Sequence, residues 1–456
     1  MRLNPSNALI VESKAKNTSA GLQEIIRRNR ASEKVGVYAV CSAHPSVIAA
    51  AVRQAVEDGS VLHAESTSSQ VNQWGGYTRQ APSQFAEFVH SAARQGGLPR
   101  EQVLLGGDHL GPYPWREQVS VAAMHNACEL VRACVLAGYN KIHLDASMAC
   151  ADDSKSGPDE KTIAQRAAIL CRAAENAFED LPSGSAPLLY VIGSEVPAPG
   201  GESLPGAPPA VSPSHRVHET LELFRAAFAE QNINAAWERV IGLVVQPGVD
   251  FGENVIFDYD RQKAIALSSA LPRLPALAYE AHSTDYQKPA ALAQMVEDHF
   301  AILKVGPWLT FAFREAVFAL SAIEREWLAS RKGVRISQVR EALEAAMLRN
   351  PVYWHSYYHG SEDAMRFSRV YSYSDRCRYY WCDAAVQQEL IQLHANLDAA
   401  PPPLTLASQY LPLEYEAIRS GSLRTRAEDM IQEHIRTVLR IYAAACGQHT
   451  SHSQSL

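Results

Sequence analysis

The stretch Val103-Leu104-Leu105-Gly106-Gly107-Asp108-His109-Leu110-Gly111-Pro112 places an adjacent carboxylate and imidazole at the end of an apolar run, between a glycine pair and a Gly-Pro turn. The pair suits metal chemistry: the imidazole can ligate a divalent ion, and the carboxylate can move a proton beside it. Taken alone, the stretch is equally a strand ending in a polar turn. Other apolar runs, however, end the same way. In order, their ends carry Ser42 and His44, Glu65, Asp108 and His109, Asp145, Glu195, Gln246, Glu280 and His282, then Lys304. Gathering so many carboxylates without a cation is costly, and a bound metal would resolve the conflict. Imidazole and carboxylate ligands together suit zinc, or manganese where oxygens dominate. Asp108, His109, Glu195 and His282 are the strongest candidates. His63 and His143 lie mid-strand between apolar residues and read as satisfied wall histidines. His44 reads as a helix cap, and Glu65 as an anchor for the polar loop that follows it. No GxxxxGK[ST] and no GxSxG occurs, which leaves a P-loop kinase and a serine hydrolase without support.

These residues need a frame that brings eight strand ends together. Apolar, strand-like runs at 35–41, 61–65, 103–109, 141–145, 188–195, 240–246, 276–280 and 301–305 alternate with helix-like segments. Near-continuous apolar strands fit a sheet covered on both faces. Eight strand–helix units fit a (β/α)8 TIM barrel, whose site lies at the C-terminal strand ends. A doubly wound open sheet is the runner-up. The expected organisation is a lead over 1–33, a barrel over 34–330 and a helical C-terminal segment over 331–456.

Composition excludes other classes. With 42 Lys and Arg against 49 Asp and Glu the net charge is −7, which invites neither nucleic acid nor an anionic membrane. The N-terminus lacks the apolar core of a signal peptide, and no apolar run approaches the roughly 18 residues of a membrane span. Eight scattered cysteines with no CxxC point to a reduced, cytoplasmic chain.

The runs CSAHPSVIAAA (41–51), ESTSSQVNQWGGYT (65–78), GGDHLGP (106–112), KIHLDASMACADD (141–153), VIGSEVPAPGGE (191–202), VVQPGV (244–249), YEAHSTDYQ (279–287), HFAILKVGP (299–307) and SYSDRCRYYW (372–381) resemble the GatZ/KbaZ type of class II tagatose-bisphosphate aldolase subunit, usually called non-catalytic. The resemblance implies a TIM barrel, a role in galactitol or tagatose catabolism, and support of a separate catalytic aldolase subunit. Catalytic class II aldolases carry an Asp-His pair after strand three, as at Asp108-His109, and an Asp after strand four, as at Asp145. After strand five they have a Glu and a Gly-Gly-Glu, as at Glu195 and Gly200-Gly201-Glu202. Their zinc-binding His after strand six is replaced here by Gln246, a weak ligand. The strand-seven ligand falls on His282 or on Glu280. Their glycine-rich phosphate loops are not evident in His282-Ser283-Thr284-Asp285 or in Gly306-Pro307-Trp308.

Two functions follow. In one, the chain supports an aldolase subunit, and Tyr371, Tyr373, Tyr379, Tyr380 and Trp381 either form the interface or pack on the barrel. In the other, suggested by proteins resembling the family, it is a metal-dependent 4-epimerase of tagatose- or fructose-type ketoses or their 6-phosphates. A zinc, manganese or nickel ion would sit on His109, Glu195 and His282, with Asp108, Asp145 or Glu280 moving protons. Ser42, His44, Glu65, Glu202, Gln246 and Lys304 would contact the sugar, and Arg376 with Arg378 would clamp a phosphate. An oligomer is expected.

Overall fold

A computed structural model of the chain describes residues 18–194, 208–272, 274 and 276–448. Eight strands form the barrel: β1 (Val37–Cys41), β2 (Leu62–Thr67), β3 (Val103–Leu110), β4 (Lys141–Leu144), β5 (Leu189–Ile192), β6 (Val240–Val244), β7 (Ala278–Ala281) and β8 (Ile302–Val305). Each pairs in parallel with the next. β8 returns to β1, with Val37 opposite Ile302 and Val40 opposite Val305, so the sheet is closed and the open-sheet alternative is excluded. This is a (β/α)8 barrel.

The helices between the strands start and stop where local chemistry directs. Pro45, Pro82, Pro289 and Pro307 open their helices at positions that need no N–H. Gly59 and Gly97 close theirs in the left-handed conformation. A small ribbon, Asp250–Phe251 against Ile256–Phe257, follows β6. Its two-residue strands are too short to leave a periodic signal in the sequence.

Both ends of the barrel are covered. The helix Thr18–Arg30 inserts Leu22 and Ile26 into a cluster with Val37, Leu104, Leu189, Ile241 and Ile302, sealing the end opposite the strand C-termini. Beyond residue 330 the described residues form helices joined by turns, as expected. The last helix, Ala427–Ala445, packs on β1 and on the helices Pro45–Asp58, Pro289–Glu297 and Pro307–Leu328, over the β1/β8 junction. Tyr442 donates its hydroxyl to the Thr284 carbonyl at 2.7 Å, and Gly36 N–H donates to the Cys446 carbonyl at 3.1 Å. The turns around Tyr357 and Arg378–Cys382 fold over the C-terminal mouth.

Candidate metal centre and cavity

Alternation along the strands aims a ladder of polar side chains into the barrel. His63 and Glu65 share one face of β2. Lys141 and His143 share one face of β4, and Asp145 follows two residues on. Glu280 of β7 is followed two residues on by His282. All are buried. β3 departs from the rule. Its pairing with β4 steps from Gly107–Ile142 to Leu110–Leu144, three residues against two, which is a bulge. His109 accordingly sits at φ +48°, a strained value for a residue with a side chain. Asp108 and His109, which a regular strand would send to opposite faces, therefore line the same cavity. The surrounding glycines are required. A Cβ on Gly106 would lie 2.7 Å from Glu65 Oε1, and one on Gly111 only 1.6 Å from the Asp145 carbonyl oxygen.

The deepest layer is a closed charge network. Lys141 Nζ lies 2.7 Å from Glu65 Oε1 and 2.6 Å from Glu280 Oε2. Lys304 pairs with Glu65 and lies 3.0 Å from Asp108 Oδ1. Burial lowers the Lys304 ammonium to about 8. Burial alone would raise Glu280, but Lys141 and His282 outweigh it and hold the carboxyl at about 2. The lysines thus supply the counter-charge for Glu65 and Glu280 that the sequence reading assigned to a metal.

The case for a metal rests instead on the imidazoles above this layer. His109, His143 and His282 form a triangle with ring centroids 4.8–5.1 Å apart. Each has a carboxylate against one nitrogen: Asp145 Oδ2 2.7 Å from His109 Nδ1, Asp108 Oδ1 3.1 Å from His143 Nδ1, and Glu280 Oε1 3.0 Å from His282 Nε2. The His109 backbone N–H lies against the same His143 Nδ1 at 3.1 Å, and only the tautomer whose Nδ1–H faces Asp108 leaves Nε2 as a ligand. Carboxylate-backed imidazoles are the usual outer arrangement of metal sites, because the carboxylate fixes the ring and leaves the other nitrogen for the ion. The remaining nitrogens, His109 Nε2 and His282 Nδ1, face each other at 3.1 Å. Two nitrogens on a tetrahedral zinc, with bonds of about 2.0–2.1 Å, stand about 3.3 Å apart. His143 Nε2 is buried without a hydrogen-bond partner, so His143 is not the satisfied wall residue expected from the sequence. Asp108, His143, Glu280 and His282 also offer ligand atoms all within 4.8 Å of one another. The residues present fit a divalent cation. Burial would lower His109, but Asp108 and Asp145 overturn that and raise it to about 9, whereas burial keeps His282 below its ordinary value. Asp108 and Asp145, despite burial, are held well below the carboxylate range by the histidines.

The cluster opens into a cavity of about 410 Å3 at the strand C-termini. Of the expected contact residues, Ser42, His44, Asp108, His109, His282, Lys304 and Arg378 line it, and Glu65, Asp145 and Glu280 lie beneath. His44 stands at the N-cap but makes no side-chain cap bond; its ring packs 4.1 Å from that of Phe313, and burial lowers it to about 4. Gln246 does not reach the cavity: its Oε1 accepts the Gly248 and Val249 N–H groups at 2.8 and 3.1 Å and closes the turn after β6. Arg376 is also absent from the lining, because its Nη1 donates to the Tyr353 carbonyl at 3.1 Å, so the expected two-arginine clamp does not form. Glu195 and Glu202 lie outside the described residues. The structure adds Lys141, His143 and the mouth tyrosines Tyr77, Tyr113, Tyr357 and Tyr379. Parity would have found the first two, since counting back by twos from Asp145 reaches both.

A closed parallel barrel with carboxylate-backed imidazoles at its C-terminal mouth defines a (β/α)8 protein with a candidate metal centre. The chain belongs to the family described as D-tagatose-1,6-bisphosphate aldolase subunit GatZ/KbaZ-like, which matches residues 22–447. It is similar to the crystal structure of a probable tagatose 6-phosphate kinase from Sinorhizobium meliloti 1021, with 41% identity over 90% of this chain and 100% of that one and a TM-score of 0.82. The YdjI aldolase of Escherichia coli K12 matches at 12% identity over 81% of this chain and 95% of that one, with a TM-score of 0.38. A fructose-bisphosphate aldolase of Campylobacter jejuni matches at 13% over 84% and 93%, with a TM-score of 0.41. Neither of these two distant matches bears on the chemistry of this chain.

Proposed function

We propose that this GatZ/KbaZ-like subunit works in tagatose and galactitol catabolism and carries a metal-dependent ketose site of its own, which epimerises a tagatose- or fructose-type sugar at C4. The observation that carries the reading is the triangle of carboxylate-backed imidazoles opening into a polar cavity. A barrel that served only as a scaffold would gain nothing from it. His109, His143 and His282 would hold the ion, with Asp108 and Glu280 beside them. When bound, a zinc, manganese or nickel ion supplies Lewis acidity to the ketose oxygens. Asp108 lines the cavity and is anchored through Oδ1 by Lys304 and His143. Held in this way, it is placed to take the proton of a sugar hydroxyl. The Lys304 ammonium, 3.0 Å from that oxygen, neutralises negative charge as the proton moves. Ser42, Ser69 and Gln70 on the lining offer hydrogen bonds to further hydroxyls, and the tyrosine roof limits water.

The test is to purify the chain without any aldolase subunit, measure bound metal, and assay tagatose, fructose and their 6-phosphates. The expected result is one divalent ion per chain, lost in His143→Ala. Asp108→Asn is expected to keep the metal and turn over roughly 10²–10⁴-fold more slowly, the usual scale of general-base loss. A metal-loaded wild type that converts no ketose or ketose phosphate removes the epimerase reading. The family role of supporting a catalytic aldolase subunit, in the reducing cytoplasm where eight free cysteines persist, would then stand alone.

A further inference from the structure

Epimerisation at C4 involves two hydroxyls. One epimer must lose the proton of its C4 hydroxyl and the other must gain one, and the two hydroxyls project from opposite sides of the carbon chain. A group on the cavity floor serves one of them, and Asp108, near the end of β3, holds that place. A second proton-transfer group is needed on the roof, where the turns around Tyr357 and Arg378–Cys382 close over the mouth. Most titratable groups of the upper wall are poorly suited to it. Burial pushes the Cys41 thiol and the Tyr77 and Tyr113 phenols up, and it lowers the His44 imidazole, which stays neutral. Tyr379 is different. Arg378 Nη2 donates to its hydroxyl at 2.9 Å, and the guanidinium carbon stands 4.5 Å from its ring centroid.

We propose that Tyr379, assisted by Arg378, is the second acid–base residue of the ketose site, working from the roof of the cavity as Asp108 works from its floor. The inference rests on the ketose reading above and adds a group to its chemistry. It also makes the helical segment beyond residue 330 part of the reacting site.

The surroundings fix the phenol in place. Its ring lies flat against Tyr353, with centroids 4.6 Å apart and planes 8° apart, and edge-on to Tyr77 at 4.6 Å. Its hydroxyl accepts from Arg378, and no acceptor for its own proton occurs among the described residues, so that proton is free for a ligand. Arg378 is held in turn. Its Nη1 donates to the Ser374 and Asp375 carbonyls, and the Asp375 carboxylate accepts from the Thr310 hydroxyl at 2.6 Å. Burial opposes ionisation of Tyr379, but Arg378 and Arg376 outweigh it and hold the phenol below its ordinary value. The Tyr77 and Tyr353 phenols and the Cys382 thiol beside it are all raised by burial and bring no competing charge. In the reaction Asp108 takes the C4 hydroxyl proton, the C3–C4 bond breaks, and its electron pair forms an enediolate while C4 becomes an aldehyde. The aldehyde turns over, the enediolate carbon adds to its other face, and the new C4 alkoxide takes the Tyr379 proton. Asp108 then gives its proton to water, and the phenolate, steadied by the Arg378 cation, takes one back. Nothing is oxidised or reduced overall.

The experiment uses the full chain loaded with metal and compares wild type with Tyr379→Phe and Arg378→Met on tagatose, fructose and their 6-phosphates. Phenylalanine keeps the stack on Tyr353 and loses only the hydroxyl. On a sugar that wild type converts, Tyr379→Phe is expected to bind metal as wild type does and to turn over roughly 10²–10⁴-fold more slowly, with KM within about threefold, the mark of a group that acts in the transition state. In the direction that uses Tyr379 as an acid, wild-type kcat/KM is expected to fall at high pH as the phenol ionises. Tyr379→Phe should lose that limb. Arg378→Met removes the cation that favours the phenolate and should move the limb to higher pH. A Tyr379→Phe protein that works at the wild-type rate, or that keeps the wild-type alkaline limb, overturns the assignment and leaves the epimerase reading standing. Should Tyr379→Phe fail to fold or to load metal, the Arg378→Met limb decides: an upward displacement supports the assignment, and an unmoved limb overturns it. A metal-loaded wild type that converts none of these sugars removes the epimerase reading and this assignment together.

Discussion

Lys141 is the residue on which the charge balance of the barrel interior depends. It is fully buried between Glu65 and Glu280 and is the only group described here that bridges both carboxylates at under 3 Å. Lys141→Met is expected to cost about 3–5 kcal/mol, the usual penalty for stranding buried charge. The added change Glu280→Gln should recover part of it, and urea denaturation midpoints measure both. An unchanged midpoint in Lys141→Met would mean that water or a cation already screens the two carboxylates. The sequence hid this residue for a physical reason. Lys141 and His143 alternate with Ile142 and Leu144, and in a barrel both faces of a strand are buried. Neighbouring residues therefore do not reveal which face holds the polar interior, whereas strand ends such as Asp108-His109 do, because turns expose a change of composition. Gln246 and Arg376 misled for the opposite reason: their types suit a sugar or a phosphate, but a local turn takes up the Gln246 oxygen, and Arg376 is buried with Nη1 on the Tyr353 carbonyl and its guanidinium over the Tyr357 ring.

At the scale of elements, the strand–helix rhythm made the fold legible, since eight repeats of one period leave few other architectures. The role of the final helix was not legible, because its amphipathic pattern shows that it packs but not against what. Its docking includes His434, whose Nδ1 lies 2.7 Å from Glu414 Oε1 and whose Nε2 lies 3.4 Å from Glu315 Oε2 on the helix Pro307–Leu328. Burial opposes the charge, but the two carboxylates win and raise the imidazole to about 9. A folded value above the unfolded value of about 6.5 means that the stabilisation is complete below pH 6.5 and is lost as pH rises through about 9. Wild type should therefore exceed His434→Gln in stability by on the order of 2–3 kcal/mol at pH 6. The gap should close by pH 10, as read from denaturation midpoints across that range. A gap that stayed constant with pH would mean His434 acts by packing alone.

For the whole molecule, the two roles proposed for the chain would occupy different places. The mouth aromatics expected at an interface mostly face inward: Trp381 packs edge-on to Phe313 at 4.9 Å, and Tyr379 stacks on Tyr353 at 4.6 Å, whereas Tyr371 stays 40% exposed. The proposed support of a catalytic aldolase subunit would then use the outer surface. Asp108→Asn is expected to prolong the thermal lifetime of that subunit as well as wild type does. A variant that abolished both support and sugar turnover would tie the two roles to one site. The clamp of the last helix on the β1/β8 junction also bears on biosynthesis. The first strand of the barrel is made before the helix that packs on it and on the helices flanking the last strand, and that helix follows all eight strands in the chain. Until it emerges, the β1/β8 seam lacks the cover of this helix, and its exposed apolar surface is open to chaperones or to other nascent chains. A chain stopped after residue 426 is expected to be cleared by proteases that spare the full chain, which makes the last helix the checkpoint at which a newly made barrel becomes durable.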